Sequence, residues 1–171
     1  MYRKPSQLSS YTLLDLKTSI PEYLFITKGS VHDVNILDNI DLPNGSYLVI
    51  DRAYVDFERL WDLASNRINF IIRAKTNSKC SVLDSGQPDK DNGILSDQCI
   101  RFTSINSTQR YPDCIRRVRY YDVETQRTFV FLTNNFKITA MNIAALFKSR
   151  WGIETFFKWI KQHLKIQSFW G

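Results

Sequence analysis

The sequence predicts an α/β protein, in which a mixed sheet is flanked by helices and carries an antiparallel β insertion before a final helix. Two apolar runs, residues 46–50 and 68–74, are too continuous for half-exposed strands and suit strands buried on both faces. An amphipathic helical segment, residues 57–64, separates them. Strand, helix and strand in that order predict a crossover unit with two parallel strands.

The segment before this unit predicts a hairpin and a short helix. Residues 1–10 are polar and are expected to fray. Strand-like runs at 11–17 and 22–27 flank a turn and resemble a hairpin. Ser30 is placed to cap a short helix that extends to Ile40. Pro43-Asn-Gly45 is a strong turn signal before the first buried strand.

The segment after the unit predicts the insertion. Residues 76–98 contain a polar loop, residues 84–93, which has the composition of local disorder. Three strand-like runs follow, at 98–103, 115–121 and 128–133, and residues 122–126 form the hairpin loop between the last two. The short strands predict an antiparallel block rather than further crossover units.

A helical region closes the chain. Thr139 is a good N-cap, and Ile138 and Ile143 are placed for a hydrophobic staple. The helix is expected to extend to about Gln167, with a break near Gly152. We therefore expect one domain over residues 1–171, with a core at about 11–75 and 134–171 and a β-rich insertion at about 76–133.

Composition limits the classes of function. The chain of 171 residues has a formal charge of +6 and a pI near 9.3, which favour an acidic partner such as nucleic acid. Three scattered cysteines without a C-x-x-C spacing, and only two histidines, argue against a zinc site and suit a reducing compartment. The sequence has no membrane-span or signal-peptide pattern, so a cytoplasmic protein is expected.

The late helix carries one carboxylate within a row of cations. Arg150 lies four residues before Glu154, and Lys158, Lys161 and Lys165 lie four, seven and eleven after it, so all five side chains share one face. A separate apolar stripe consists of Ile153, Phe156, Phe157, Ile160 and Leu164. An acid among cations suits metal-dependent chemistry on a polyanion, whereas simple i, i+4 ion pairs remain the alternative.

A second acid, Asp51, follows the apolar run 46–50 directly. In open α/β sheets, ligands gather beyond the carboxyl ends of strands, although a solvated aspartate is the alternative interpretation. Together with Glu154, it makes a carboxylate pair of the kind that holds Mg²⁺, which prefers oxygen ligands. Two such ions, about 4 Å apart, assist phosphodiester cleavage in many enzymes.

These residues carry a resemblance to DDE-type transposases of bacterial insertion sequences. The run Asp51-Arg-Ala-Tyr-Val-Asp-Phe-Glu-Arg-Leu60 resembles the second-aspartate motif, with Ala53 where glycine is common. Phe147, Arg150, Glu154 and Lys161 match the spacing of the signature Tyr-x₂-Arg-x₃-Glu-x₆-Lys, with phenylalanine in the tyrosine position. Leu132-Thr-Asn-Asn-Phe136 also fits, and the resemblance extends over residues 11–171.

The resemblance implies a ribonuclease-H-like fold with a β insertion before the helix that carries Glu154. It implies that Asp51 and Glu154 are catalytic and bind Mg²⁺, with Mn²⁺ as a substitute. Arg150 and Lys161, with Lys158 beside them, would contact DNA near the transposon end. The implied partners are transposon-end and target DNA, together with a second copy of the chain in a homodimer.

The family uses a third acid on an opening strand, and this sequence has no such strand before residue 11. Asp15 reads as an outward-facing hairpin residue, and His32 and Asp33 read as capping or surface groups. Trp151 and Trp159 are expected in the core rather than stacked on bases. We therefore expect an N-terminally truncated transposase that lacks the first core strand and is inactive alone.

Three hypotheses follow. The first is a transposase catalytic domain for metal-dependent DNA strand cleavage and transfer. The second is a non-catalytic DNA-binding remnant of a transposase, which predicts salt-sensitive binding without nicking. The third is a basic α/β domain whose acids form surface ion pairs. Under this hypothesis the match of Arg150, Glu154 and Lys161 to the signature spacing would be a coincidence.

Overall fold

The protein is described by a computed structural model that covers residues 8–14, 21–28, 42–50, 56–74 and 79–149. The chain divides into two compact units, Met1–Asp41 and Leu42–Gly171. In the first unit, strands β1 (Leu8–Leu14) and β2 (Pro21–Lys28) pair antiparallel, with an irregularity between Leu13 and Leu14. The predicted hairpin is confirmed, although β1 begins three residues earlier than predicted, within the segment expected to fray.

The second unit contains a six-stranded mixed sheet. Its elements are β3 (Tyr47–Ile50), α1 (Phe57–Ser65), β4 (Asn69–Arg73), β5 (Cys80–Gly86), a 3₁₀ turn (Lys90–Asn92), β6 (Ile94–Phe102), α2 (Ile105–Arg110), β7 (Ile115–Asp122), β8 (Arg127–Thr133) and α3, helical over the described residues 140–149. The strand order is β3-β4-β8-β7-β6-β5. Strands β3 and β4 are parallel, whereas the other neighbours are antiparallel. The predicted α/β class with a mixed sheet is confirmed.

Local capping explains where the helices begin. The side chain of Asp56 accepts a hydrogen bond from the Glu58 amide at the start of α1. The Asn142 amide donates to the Thr139 hydroxyl at 3.1 Å, so the predicted N-cap of α3 is confirmed. Ile138 packs against the same apolar cluster that contains Ile143, as a hydrophobic staple requires.

The polar loop predicted over residues 84–93 is confirmed in part. Strand β5 extends into it as far as Gly86, a 3₁₀ turn spans Lys90–Asn92, and β6 begins at Ile94 rather than at residue 98. Strand β5 is an exposed edge strand, so it lacks the apolar alternation that reveals a half-buried strand. Helix α2 was also not predicted, because it spans only Ile105–Arg110 and is mostly polar.

Helices cover both faces of the sheet. On one face, α3 packs into an apolar cluster that includes Ile71, Val118, Phe129 and Phe131 of the sheet. On the other face, α1 and α2 enclose aromatic rings that pack edge to face around Tyr111, whose partners are Trp61, Phe70 and Phe102. The strands between these two layers are therefore buried on both sides, as the continuous apolar runs predicted.

Candidate active site

The residues that the sequence singles out for chemistry lie outside the described part of the chain. They are Asp51, Arg150, Glu154, Lys158 and Lys161. The weaker candidates Asp15, His32, Asp33, Trp151 and Trp159 lie outside it as well. Two described residues border the predicted acids: Ile50 ends β3 directly before Asp51, and Ser149 is the last described residue of α3. The structure therefore defines the framework that leads to the predicted site.

The carboxyl ends of β3 and β4 lie at one edge of the sheet, because these strands are parallel, with Ile50 opposite Ile72. Strand β8 runs antiparallel to β4, with Phe131 opposite Arg73. The first residues of β8 therefore extend beyond the carboxyl end of β4. The β7–β8 turn, residues 123–126, consequently lies at the edge toward which β3 runs.

Helix α3 runs toward the same edge. Before the helix begins, the carbonyl of Ile138 accepts a 2.7 Å hydrogen bond from Arg116, which lies opposite Thr133 at the far edge of the sheet. Next to the last described residue of α3, the ammonium of Lys148 lies 2.8 Å from the carboxylate of Asp122, beside the β7–β8 turn. Helix α3 and strand β3 therefore advance in the same direction.

Phe147 stands where the family signature has tyrosine, and here it is a core residue. Its side chain is only 2% exposed. The ring centroid lies 4.9 Å from that of Phe131 and 6.2 Å from that of Phe129. Val49 of β3 packs against the same cluster, so α3 covers the face of the sheet to which Val49 belongs.

An ion pair between a half-exposed lysine and a buried carboxylate fastens the last described turn of α3 to the β7–β8 hairpin. Asp122 is 1% exposed, and its carboxylate accepts hydrogen bonds from Lys148 at 2.8 Å and from the Thr125 hydroxyl at 2.7 Å. Lys148 also reaches Glu124 at 3.2 Å. Burial by itself would raise the pKa of Asp122, but the hydrogen bonds from Lys148 and Thr125 outweigh burial and hold that pKa below its usual value. Its hydrogen bond to Asp122 raises the pKa of Lys148, so both groups are charged at neutral pH.

This carboxylate is not placed to serve as a metal ligand. One oxygen of Asp122 accepts from Lys148 and the other from Thr125, so both are already engaged by donors within the protein. A metal ion would also have to approach a lysine ammonium, which is electrostatically unfavourable. Among the described residues, no group of three or more histidine, cysteine, aspartate or glutamate side chains is arranged to hold a metal ion.

At the opposite edge of the sheet, two adjacent asparagines join β8 to β3 and β4. Asn134 accepts from the Phe70 amide and donates to the carbonyl of Ile68. Asn135 donates to the Tyr47 hydroxyl at 2.8 Å and to Asn69 at 2.9 Å. The Asn-Asn pair that contributed to the family resemblance therefore has a structural role here, fixing the loop that leads into α3.

The Asp97–Arg116 ion pair lies beside this loop and was missed by sequence reasoning. The guanidinium of Arg116 makes two hydrogen bonds to Asp97, at 2.7 and 2.6 Å. It also donates to the carbonyls of Asn135 and Ile138. The two partners are 19 residues apart, and only the pairing of β6 with β7 brings them together.

The ionised form of Asp122 should stabilise the fold at neutral pH and cease to do so in acid. Its folded pKa lies below the ordinary value of 3.8, so its contribution is complete above that value and is lost as the pH falls through the lower, folded pKa. Urea unfolding of the wild type and of Asp122→Asn, from neutral pH to about pH 2, should show a difference in unfolding free energy that shrinks in acid. A difference that stays constant with pH would contradict this assignment.

Sequence comparison identifies related proteins. A protein family described as "Transposase DDE domain" matches residues 7–169. The protein y4zB of Sinorhizobium fredii, which is named as a transposase, is 31% identical over 168 residues, covering 96% of this chain and 47% of that protein. A protein of Geobacillus stearothermophilus, named as a transposase for insertion sequence element IS5377, is 29% identical over 163 residues, covering 90% of this chain and 40% of that protein.

A third relative, from Synechocystis, is named as a transposase for insertion sequence element IS4SA. It is 25% identical over 165 residues, covering 94% of this chain and 45% of that protein. The chain therefore spans less than half the length of each of these three relatives. Within the described residues, no helix is long and apolar enough to cross a membrane.

Proposed function

This chain belongs to the family of transposase DDE domains, and from that premise we propose that it carries part of a metal-dependent site for DNA cleavage and strand transfer at transposon ends. Asp51 and Glu154 are the proposed catalytic residues and ligands of Mg²⁺, with Mn²⁺ as a substitute. Arg150, Lys158 and Lys161 are proposed to bind the phosphate backbone of DNA. The proposed location of the protein is the cytoplasm. The observation that carries the proposal is the common direction of β3 and α3.

That common direction supports the proposal that Asp51 and Glu154 lie close together. Asp51 follows Ile50, and Glu154 comes five residues after Ser149, so each acid follows an element that runs to the same edge of the sheet. If α3 continues without a break, five residues extend it by about 7.5 Å. Ligand sites in α/β sheets form at this edge, beyond the carboxyl ends of parallel strands.

Side-chain periodicity supports a common face as well. Residues alternate faces along a strand, so a strand that continued by one residue would place position 51 on the face of Val49, which is the face that α3 covers. Along the helix, Ile143 and Phe147 contact the sheet, and Glu154 comes seven residues, or about two turns, after Phe147. An unbroken helix thus directs Glu154 toward the sheet.

The same helical stripe accounts for the proposed DNA contacts. Arg150, Lys158 and Lys161 come three, eleven and fourteen residues after Phe147, so on an unbroken helix they would share its stripe with Glu154. Cations beside a carboxylate pair suit a phosphodiester, because they bind its phosphates while the acids hold the metal ion. A bound Mg²⁺ would supply charge stabilisation and activation of the attacking oxygen.

Replacing either acid by its amide should weaken metal binding. In a Mn²⁺ titration followed by electron paramagnetic resonance, Asp51→Asn and Glu154→Gln should each raise the dissociation constant by about tenfold or more, because a carboxylate ligand is lost. Glu58→Gln, an exposed acid on α1, is the matched control and should bind as the wild type does. Wild-type affinity in both site variants would refute the assignment of the ligands.

A nicking assay on DNA separates the two transposase hypotheses. Nicking that requires Mg²⁺ or Mn²⁺ and is lost in Glu154→Gln would support a catalytic domain. DNA binding that weakens steeply with salt, but without nicking in the presence of either metal, would instead identify a non-catalytic DNA-binding remnant.

A further inference from the structure

We propose that Asp122 and Lys148 are positioning residues, which fix the last described turn of α3 and thereby place the chain segment that leads to Glu154. The proposal rests on the proposed function, because it explains how the helix of the metal ligand would be held. Neither residue belongs to the transposase signature, and neither is proposed to touch metal or DNA.

The first observation is that strand β7 contacts α3 in two places. Arg116 of β7 donates to the carbonyl of Ile138 just before the helix, and Asp122 of β7 pairs with Lys148 next to the last described residue of the helix. The two β7 residues are six positions apart, an even spacing, so they lie on the same face of the strand, about 20 Å apart. Strand β7 therefore contacts α3 along nearly its whole described length.

The second observation is that these contacts are directional, unlike the apolar packing between them. The cluster around Ile143 and Phe147 stabilises the helix by burial, and burial is not directional. A lysine ammonium held at 2.8 Å from a carboxylate restricts both rotation and sliding of the helix, because the hydrogen bond requires a narrow geometry. Lys148 thus sets the orientation of α3 at its final described turn.

The third observation is that the carboxylate is itself immobilised. Asp122 is 1% exposed and is held by the Thr125 hydroxyl at 2.7 Å, within the tight β7–β8 hairpin. Lys148 is anchored a second time by Glu124 at 3.2 Å. An exposed ion pair between flexible side chains could not position a helix, but here the acceptor is a rigid part of the sheet.

The orientation of α3 at Lys148 matters for the proposed metal site, because Lys148 precedes Glu154 by only six residues. Catalytic and metal-binding groups need to be placed within about 0.5 Å and 10–20° of their productive geometry. If α3 continues without a break to Glu154, a small rotation of the helix at Lys148 would also displace Glu154. The β insertion, through β7, would therefore act as the support of the ligand helix as well as a part of the sheet.

The double variant Asp122→Asn/Lys148→Met tests the proposal. It removes the ion pair without leaving either charge buried alone, so the fold is retained while the tether is lost. Amide hydrogen exchange should become several-fold faster in residues 148–161, whereas residues 140–146, near the Arg116 anchor, should keep their protection. Mn²⁺ affinity should fall by about tenfold, as with other supporting partners of metal ligands.

Gln98→Ala is the matched control. It removes a 2.7 Å hydrogen bond that Gln98 accepts from Arg117, and Arg117 lies on β7 but points to the face of the sheet opposite α3. It should leave both exchange in 148–161 and Mn²⁺ affinity unchanged. Unaltered amide exchange in residues 148–161 of the double variant would overturn the positioning role. A uniform increase in exchange over the whole chain would overturn it as well, because it would mean that the ion pair only stabilises the fold.

A different result would contradict the proposed function. If Glu154→Gln binds Mn²⁺ with the affinity of the wild type, the assignment of Glu154 as a ligand is wrong, whatever the exchange data show. Local acceleration in 148–161 would still support the tether in that case, because exchange reports helix placement without any metal.

Discussion

Replacing Phe147 by alanine should lower the free energy of unfolding by about 3–5 kcal/mol, a typical cost for removing a buried aromatic ring. The ring packs against both Phe129 and Phe131 of β8, and its loss would leave a cavity under α3. A loss of this size is a large fraction of the stability of an ordinary domain, about 5–15 kcal/mol. Urea unfolding followed by circular dichroism measures it directly.

Phe136→Ala is the control for the Phe147 prediction. Phe136 is the same residue type and lies 11 positions earlier, but it is 50% exposed. Its replacement should cost about 1 kcal/mol or less, because little apolar surface returns to water. Equal losses for the two alanine variants would mean that α3 does not pack on β8 as described.

Replacing Arg116 by methionine should lower the free energy of unfolding by about 3 kcal/mol, because one partner of a largely buried ion pair is removed. The change leaves the Asp97 carboxylate without its bidentate partner, and it leaves the carbonyls of Asn135 and Ile138 without their donor. Those carbonyls precede α3, so the start of the helix should also lose protection from amide exchange. Urea unfolding and hydrogen exchange measure the two effects.

Arg119→Met separates the ion pair from a general effect of charge. Arg119 lies on the same strand but is exposed, so its replacement should change stability by about 0.5 kcal/mol or less. The double variant Asp97→Asn/Arg116→Met should recover part of the loss, because no charge then remains unpaired. If the double variant is less stable than Arg116→Met, desolvation of Asp97 is not the main cost.

Strand and helix positions were predictable where burial imposes a pattern. Strands β3 and β4 appear in the sequence as continuous apolar runs, and α1 appears as an amphipathic segment. Strand β5 and helix α2 gave no such pattern, because both are mostly exposed. The hydrophobic pattern reports which side chains leave water, so it is silent about elements held by backbone hydrogen bonds at an edge.

The same distinction applies to the candidate site. The spacing of Arg150, Glu154 and Lys161 can be read along one helix, since local periodicity places them together without knowledge of the fold. The ion pair of Asp122 with Lys148 cannot be read from the sequence, because it joins residues 26 positions apart. It depends on how α3 crosses the β7–β8 hairpin. In the sequence, Asp122 looks like a solvated turn residue, whereas the structure buries it.

The sequence by itself therefore determined the α/β class, the family and the pair of acids proposed for catalysis, because each is expressed in local periodicity or in a short spacing. Only the tertiary structure decided that β3 and α3 run to one edge, and that strand β7 contacts α3 both at its start, through Arg116, and at its last described turn, through Asp122. These features depend on strand register and helix packing, which are set by contacts between residues distant in the chain.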